Sequence, residues 1–487
     1  ATPVPEDPRV REQVAQIRLD LARAAALERA GKYREGLELA RAVTVRADGA
    51  GFGPTRAEAR LRQGILEDLA GGSKVARQVL LDAVFEAEAS RQDEVAAEAW
   101  VALVFVNGNQ LELHTEAEQS EVRARAAIAR LGGSPRLEAR LRFNVGRWLV
   151  MRGRFAEGAA KLRESLAIRE STLGKDHADV AEALSELSAA VREQGDTAEA
   201  IALGELALSV REAALGSKHP DVAITLSTLG VALARAGKHE AALAYFLRAL
   251  TIAEESLGAN HPEVAPILGN VGLAYARTGR AAEGIAPLER ALAINIATWG
   301  PEDSEVASVE SNLGYVYRLM GRWADARAHI ERSIAIREKA QGKEHPFVGR
   351  GLSSLGWVAL GEGKPKEARA DFERALGILQ KANGREHPDV GTQLVGIGAT
   401  LVATNEPAAA LPFLERAMAI YASKPPSAEK IAEAKLTLAK ALWDSGKDRA
   451  RAVTLGAESA REYASFGAFT ARERQDADRW VATHPAP

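Results

Sequence analysis

Glycine returns to the same place every 42 residues through the middle of this chain, from about residue 134 to 421, without slippage. A fixed period of that length restricts the fold more than any other feature. Each repeat is too short to bury a core alone, so neighbouring repeats must stack. A stack also accommodates 487 residues, which exceed one ordinary compact core.

Three slots carry the period. Gly153, Gly195, Gly237, Gly279, Gly321 and Gly363 form the first, with Asn405 as its seventh member. Gly and Asn tolerate the left-handed conformation that ends a helix, so this slot predicts a tight turn between two helices. The second slot holds Gly146, Gly230, Gly272, Gly314, Gly356 and Gly398, with Ser188 as the exception. It falls seven residues earlier, inside a helix, where Gly costs about 1 kcal/mol against Ala. Close approach of a neighbouring helix is the expected offset. Gly174, Gly216, Gly258, Gly300, Gly342 and Gly384 stop the second helix of each unit. Between turn and stop run apolar stripes at helical spacing, such as Ala242, Phe246, Ala249 and Leu250.

Three residues after the stop stands His177, His219, His261, His345 or His387. As metal ligands, one histidine per repeat lies too far from the next, since packed helices are about 8–10 Å apart and zinc needs ligands at about 2 Å. As catalytic bases, five copies have no nucleophile. As helix starts they make sense. Pro follows His in four of the five, and where His is missing Asp303 and Ser304, both strong caps, take its place.

The order of small and large residues in "NVGLAYARTGRAAEGIAPLERALAI" (270–294) and "NLGYVYRLMGRWADARAHIERSIAI" (312–336) resembles the tetratricopeptide repeat. The 42-residue form with "LGxxHPxV" is similar to the kinesin light chain type. The resemblance implies an all-α, right-handed superhelical solenoid. The looser pattern outside it predicts about eleven helix-turn-helix repeats in all, plus a C-terminal capping helix. The expected division is a linker over 1–8, divergent hairpins over 9–131, seven regular repeats over 132–421, a final hairpin over 422–465, and a capping helix and tail over 466–487. The third hairpin carries an irregular turn, "NGNQLELH". The opening "ATPVPEDP" reads as a linker, and the chain as a piece of something larger. "PEDPRVREQVAQIRLDLARAAALERAGKYREGLELA" and "QDEVAAEAWVALV" resemble regions that follow the kinase domain in bacterial Hanks-type serine/threonine kinases. That second resemblance implies the non-catalytic, sensory half of a signalling protein.

Little else carries chemistry. There is no Cys, which excludes disulfides and thiol catalysis and fits a reducing compartment. "HEAAL" at 239–243 lacks the second His of a zinc protease, and "GGSKVAR" lacks phosphate-loop spacing. No catalytic residue, metal or cofactor is expected. Net charge is −3 with signs well mixed, so nothing points to nucleic acid. No apolar run reaches the length of a membrane span. A cytoplasmic location is expected, the alternative being the extracytoplasmic part of a membrane-anchored kinase.

In the tetratricopeptide family the first helices line an inner groove that holds peptides or extended partner segments. Carried over slot by slot, the resemblance points to Asn144, Asn270 and Asn312, two residues before the mid-helix Gly. Glu186 and Gly396 break that series. Ser227, Ser311 and Ser353 lie one residue before the slot, Arg147, Tyr315 and Trp357 one after the Gly, and Arg277 and Arg318 a turn further. Tyr275 and Tyr317 fall at core positions. The expected partner is a protein or peptide segment. The alternatives are self-association through a terminal patch at Trp480 and Phe466–Phe469, and a small ligand or glycan in a closed pocket.

Overall fold

The computed structural model describes residues 5–29 and 32–485. The turn of the first hairpin, at Gly31, and the first four residues of the expected linker lie outside them. The described residues form 23 α-helices and no strand. Contacts divide the chain into two compact units, one up to Ala232 and one from Leu233 on.

Three hairpins open the first unit: Pro8–Arg29 with Tyr33–Ala50, Gly53–Leu69 with Ser73–Ala89, and Asp93–Phe105 with His114–Arg130. Pro135–Met151 with Phe155–Leu173 and Ala178–Gln194 with Thr197–Leu215 follow, and the helix Pro220–Arg235 ends the unit. The second unit continues with His239–Leu257, then Val264–Arg277 with Ile285–Trp299 and Ser304–Leu319 with Trp323–Gln341. Pro346–Gly361 with Pro365–Asn383, Pro388–Ala403 with Pro407–Ser423 and Ala428–Asp444 with Arg449–Ser465 complete the hairpins, and Ala471–Thr483 is last.

The turn slot is left-handed throughout. Its six glycines have φ between 71° and 98°, and Asn405 has φ 64°. Five of the six mid-helix glycines sit where two helices of one hairpin touch. A Cβ on Gly272 would lie 2.5 Å from Leu288 Cγ and 2.8 Å from the Gly284 carbonyl oxygen. Gly146 faces Leu162, Gly314 faces Ile330, Gly356 faces Phe372 and Gly398 faces Leu414 in the same way. Ser188 solves the same problem differently, since its Oγ donates to the Ala200 carbonyl at 2.7 Å. Gly396, where the Asn series breaks, leaves room for the ring of Phe372.

The recurring histidines are helix caps. Each Nδ1 accepts the backbone N–H two residues on: Asp179 at 3.1 Å, Asp221 at 3.2 Å, Glu263 at 3.3 Å, Phe347 at 3.3 Å and Asp389 at 3.1 Å. Asp303 Oδ1 does the same for Glu305 at 2.8 Å. One repeat departs from the expected start. After His261 the helix begins at Val264 rather than Pro262, because Pro266 has no N–H to give the Pro262 carbonyl. Pro287 likewise interrupts the second helix of that hairpin, and a 3-10 turn spans Ala281–Gly284.

The irregular turn of the third hairpin is a π-helix, Val106–Gln110. Its buried Asn107 accepts from Arg77 Nε at 3.0 Å and donates to Ser120 Oγ at 3.1 Å. Trp148 packs on Gly108, and its indole N–H reaches His114 Nδ1 at 3.3 Å. Ion pairs 36 residues apart join consecutive second helices: Arg163 with Glu199, Arg290 with Glu254, Arg374 with Glu338 and Arg451 with Glu415. Each such surface pair contributes at most about 1 kcal/mol.

Candidate functional site

First helices of the second unit present residues at i, i+3 or i+4 and i+7 on one shared face. Arg350, Ser353, Ser354 and Trp357 come from one helix, Tyr315 and Arg318 from the helix before, and Thr392 and Gln393 from the helix after. With Arg277, Lys430, Glu433 and Tyr463 they line a half-open cavity of about 430 Å³. Phe469 and Glu473, from beyond the last hairpin, complete it.

Charge here is balanced but unevenly paired. Arg277 donates to Glu429 at 2.9 Å and Arg350 to Asp389 at 3.2 Å. The Arg277 guanidinium also lies over the rings of Tyr315, at 5.4 Å, and Phe469, at 4.7 Å. Arg318 also lies over Tyr315, at 5.5 Å. Burial pushes the Glu433 carboxyl up to about 7, opposed by Arg318 and reinforced by Glu473. Burial raises the Tyr315 and Tyr463 hydroxyls as well. Gln393 is 2% exposed, and its Oε1 meets no donor. An orphaned buried acceptor costs about 1–3 kcal/mol.

A second cavity, of about 610 Å³, lies in the first unit. Asn144, Arg147, Arg169, Arg211, Asp68 and Glu182 are among its walls. Asn144 is 7% exposed and already gives its amide to the Val101 carbonyl at 2.9 Å. Arg147 pairs with Glu186 at 3.3 Å and stacks on Phe105 at 4.7 Å. Burial raises the Asp68 carboxyl, against Ser73 and Arg147.

Of the residues expected from sequence, Arg277, Tyr315, Arg318, Ser353 and Trp357 thus meet in one cavity, and Asn144 and Arg147 in the other. Asn270, Asn312, Ser227 and Ser311 line neither. Ser311 points into its own hairpin, donating to Ser333 Oγ at 2.7 Å, because Ser333 gives its hydrogen to Ala307. Ser227 Oγ is buried without a partner. Tyr317 is buried and stacks on His329 at 5.2 Å, as its core position predicts. Trp480, expected on a self-association patch, is 7% exposed and packs edge-on to Trp443 at 6.2 Å. Arg350, Thr392 and Gln393 were missed, yet spacing could have found them. Arg350 lies seven residues before Trp357, and Thr392 is one period after Arg350. Among the described residues no group of three or more His, Asp or Glu is placed to hold a metal, and no helix is long and apolar enough to cross a membrane.

Hairpins with left-handed turns, capped starts and glycine contacts, repeated along the chain, define an all-α solenoid of helical repeats. The tetratricopeptide repeat family model matches residues 139–213, 179–255, 221–297, 305–381 and 360–423, more than half of the chain. The chain belongs to the tetratricopeptide repeat family. No curated protein matches it. Among solved structures, BtubC (BKLC) from P. vanneervenii is 25% identical over 48% of this chain and 92% of its own, with a TM-score of 0.40. A Podosopora anserina protein described as kinesin light chain, with nearly identical TPR-like repeats, is 23% identical over 43% of this chain and 99% of its own, with a TM-score of 0.38. The apo quorum sensor NprR from B. thuringiensis shares the fold at 12% identity, over 74% of this chain and 98% of its own, with a TM-score of 0.53.

Proposed function

We propose that this protein is a non-catalytic scaffold that binds an extended peptide segment of a partner protein on the first-helix face of its second unit. The observation that carries this reading is the cavity around Arg277, Tyr315, Arg318, Ser353 and Trp357. Aromatic rings and guanidinium groups there are the usual anchors of protein contacts. Gln393, with an acceptor in need of a donor, suits a peptide N–H. The sequence likeness to the non-catalytic regions of bacterial kinases supports a place as the regulatory part of a larger signalling protein.

The test is an array of extended peptides probed with the wild-type chain and with the double variant Trp357→Ala, Arg318→Ala. Peptides bound by the wild type should lose at least about tenfold in affinity, the scale of a hot-spot loss. Equal binding of the same peptides by both proteins would refute the reading.

A further inference from the structure

Beyond Ser465 the chain turns back across the face just described. Gly467, at φ 86°, redirects it, and a short 3-10 turn spans Ala468–Thr470. The following helix, Ala471–Thr483, has two distinct parts. Ala477 and Trp480 are buried, and the Trp480 ring fills the space beside Gly456, where a Cβ would lie 2.2 Å away. That part is anchored to the last hairpin. In the preceding part, Gly467–Glu473, Gly467, Ala468, Ala471 and Arg472 are exposed, Phe469 and Glu473 half-buried and Thr470 buried, and the segment reaches helices far earlier in the chain. Phe469 meets His239 edge-on at 5.4 Å and lies beneath the Arg277 guanidinium at 4.7 Å. Ala468 rests on Gly279, whose Cβ, if present, would lie 2.5 Å from that of Ala468. Arg472 covers Trp323 at 4.7 Å.

We propose that Gly467–Glu473 is an occupant of the peptide groove supplied by the chain itself. Phe469 fills an aromatic-accepting niche at Arg277 and His239, and a partner segment bearing an aromatic side chain enters by displacing it. The inference rests on the groove reading above and names what competes for it. Three observations separate a displaceable strap from a permanent staple. Thr470 is buried and donates to the Tyr463 carbonyl at 3.4 Å, but the contacts of the crossing part with the earlier helices are made by rings and guanidinium groups rather than by buried aliphatic side chains. A glycine hinge stands at one end and a separate anchor at the other, so release leaves the last hairpin intact. The closed arrangement is also imperfect, because His239 Nδ1 is buried beside Phe469 without a hydrogen-bond partner. An unmade buried bond favours exchange for a better occupant.

The probe is a fluorescent synthetic peptide of the strap itself, SFGAFTARERQ, residues 465–475. Added to the full chain, it should bind Phe469→Ala at least about tenfold more tightly than wild type, whose niche is filled at high effective concentration. Arg277→Ala placed on the Phe469→Ala background should abolish that binding. The melting midpoint of Phe469→Ala should stay within about 3 °C of wild type. Equal binding to wild type and Phe469→Ala, or binding to neither, overturns the proposal. A larger fall in the midpoint also overturns it, because Phe469 would then be a staple. The groove and the strap fail separately. If the array peptides ignore Trp357 and Arg318 while the strap peptide still requires an empty niche, the groove reading falls and the strap stands. If the array result holds and the strap peptide binds nothing, the reverse follows.

Discussion

Two glycines three residues apart on the helix Val264–Arg277 should respond to alanine in opposite directions. At Gly269 an added Cβ meets nothing within 4 Å, and the backbone is helical. Gly269→Ala therefore gains helix propensity, up to about 1 kcal/mol, at no steric cost. At Gly272 the same methyl would lie 2.5 Å from Leu288 Cγ and 2.8 Å from the Gly284 carbonyl oxygen. The leucine can turn aside, but the carbonyl belongs to the facing backbone, so the hairpin must open by several tenths of an ångström. Overpacking of this kind costs about 1–3 kcal/mol. Set against the propensity gain, Gly272→Ala should be up to about 2 kcal/mol less stable than wild type, and about 1–3 kcal/mol less stable than Gly269→Ala. Urea denaturation followed by far-ultraviolet circular dichroism measures the order. If Gly272→Ala unfolds at the same urea concentration as Gly269→Ala or a higher one, the close helix contact is not what selects glycine in this slot.

His387→Ala should lose about 1 kcal/mol of unfolding free energy, the value of a helix cap. His387→Asp should keep most of it, because Asp303 already caps an equivalent helix. Denaturation midpoints of the two variants check this. Glu433 has its carboxyl raised from 4.5 to about 7 in the folded chain. Its burial is therefore harmless below pH 4.5, grows costly as pH rises towards 7, and is fully costly above. Glu433→Gln should match wild type at pH 4.5 and exceed it by about 2 kcal/mol at pH 8, after allowance for partial solvent screening. A stability difference that does not change between those pH values rules out the burial argument. Asn405, at φ 64°, should accept Gly with little change, whereas Asn405→Val should cost about 1–2 kcal/mol, read from thermal melting.

The elements that repeat were legible, because periodicity multiplies a weak local signal. Seven turn positions and the histidine starts could be assigned from residue type alone. What failed was whatever occurs once. Pro266 and Pro287 shifted helix starts in a single repeat. The π-helix at Val106–Gln110 depends on Asn107 finding Arg77 and Ser120, which lie 30 residues before and 13 after it. Within the site, Tyr315, Trp357 and Arg318 followed from the slots, whereas Asn270 and Asn312 did not join them. The slot fixes a side chain's register along the helix but not how far the cavity extends over that face: Ser354, of the same slot, lines it, and Asn312 does not. The strap was only half legible: Phe466–Phe469 reads as a terminal patch, but "SFGAFTARE" has no counterpart 42 residues earlier to place it, and its contacts span most of the second unit.

The strap also makes the number of hairpins matter. Loss of one 42-residue unit between Gly279 and Gly467 would leave every turn, cap and close contact of the remaining hairpins in order. It would nevertheless deliver Phe469 to a different rung, away from Arg277 and His239. Such a molecule would be soundly built and wrongly closed, so the length of this solenoid is constrained by where its end must land as well as by what holds it together.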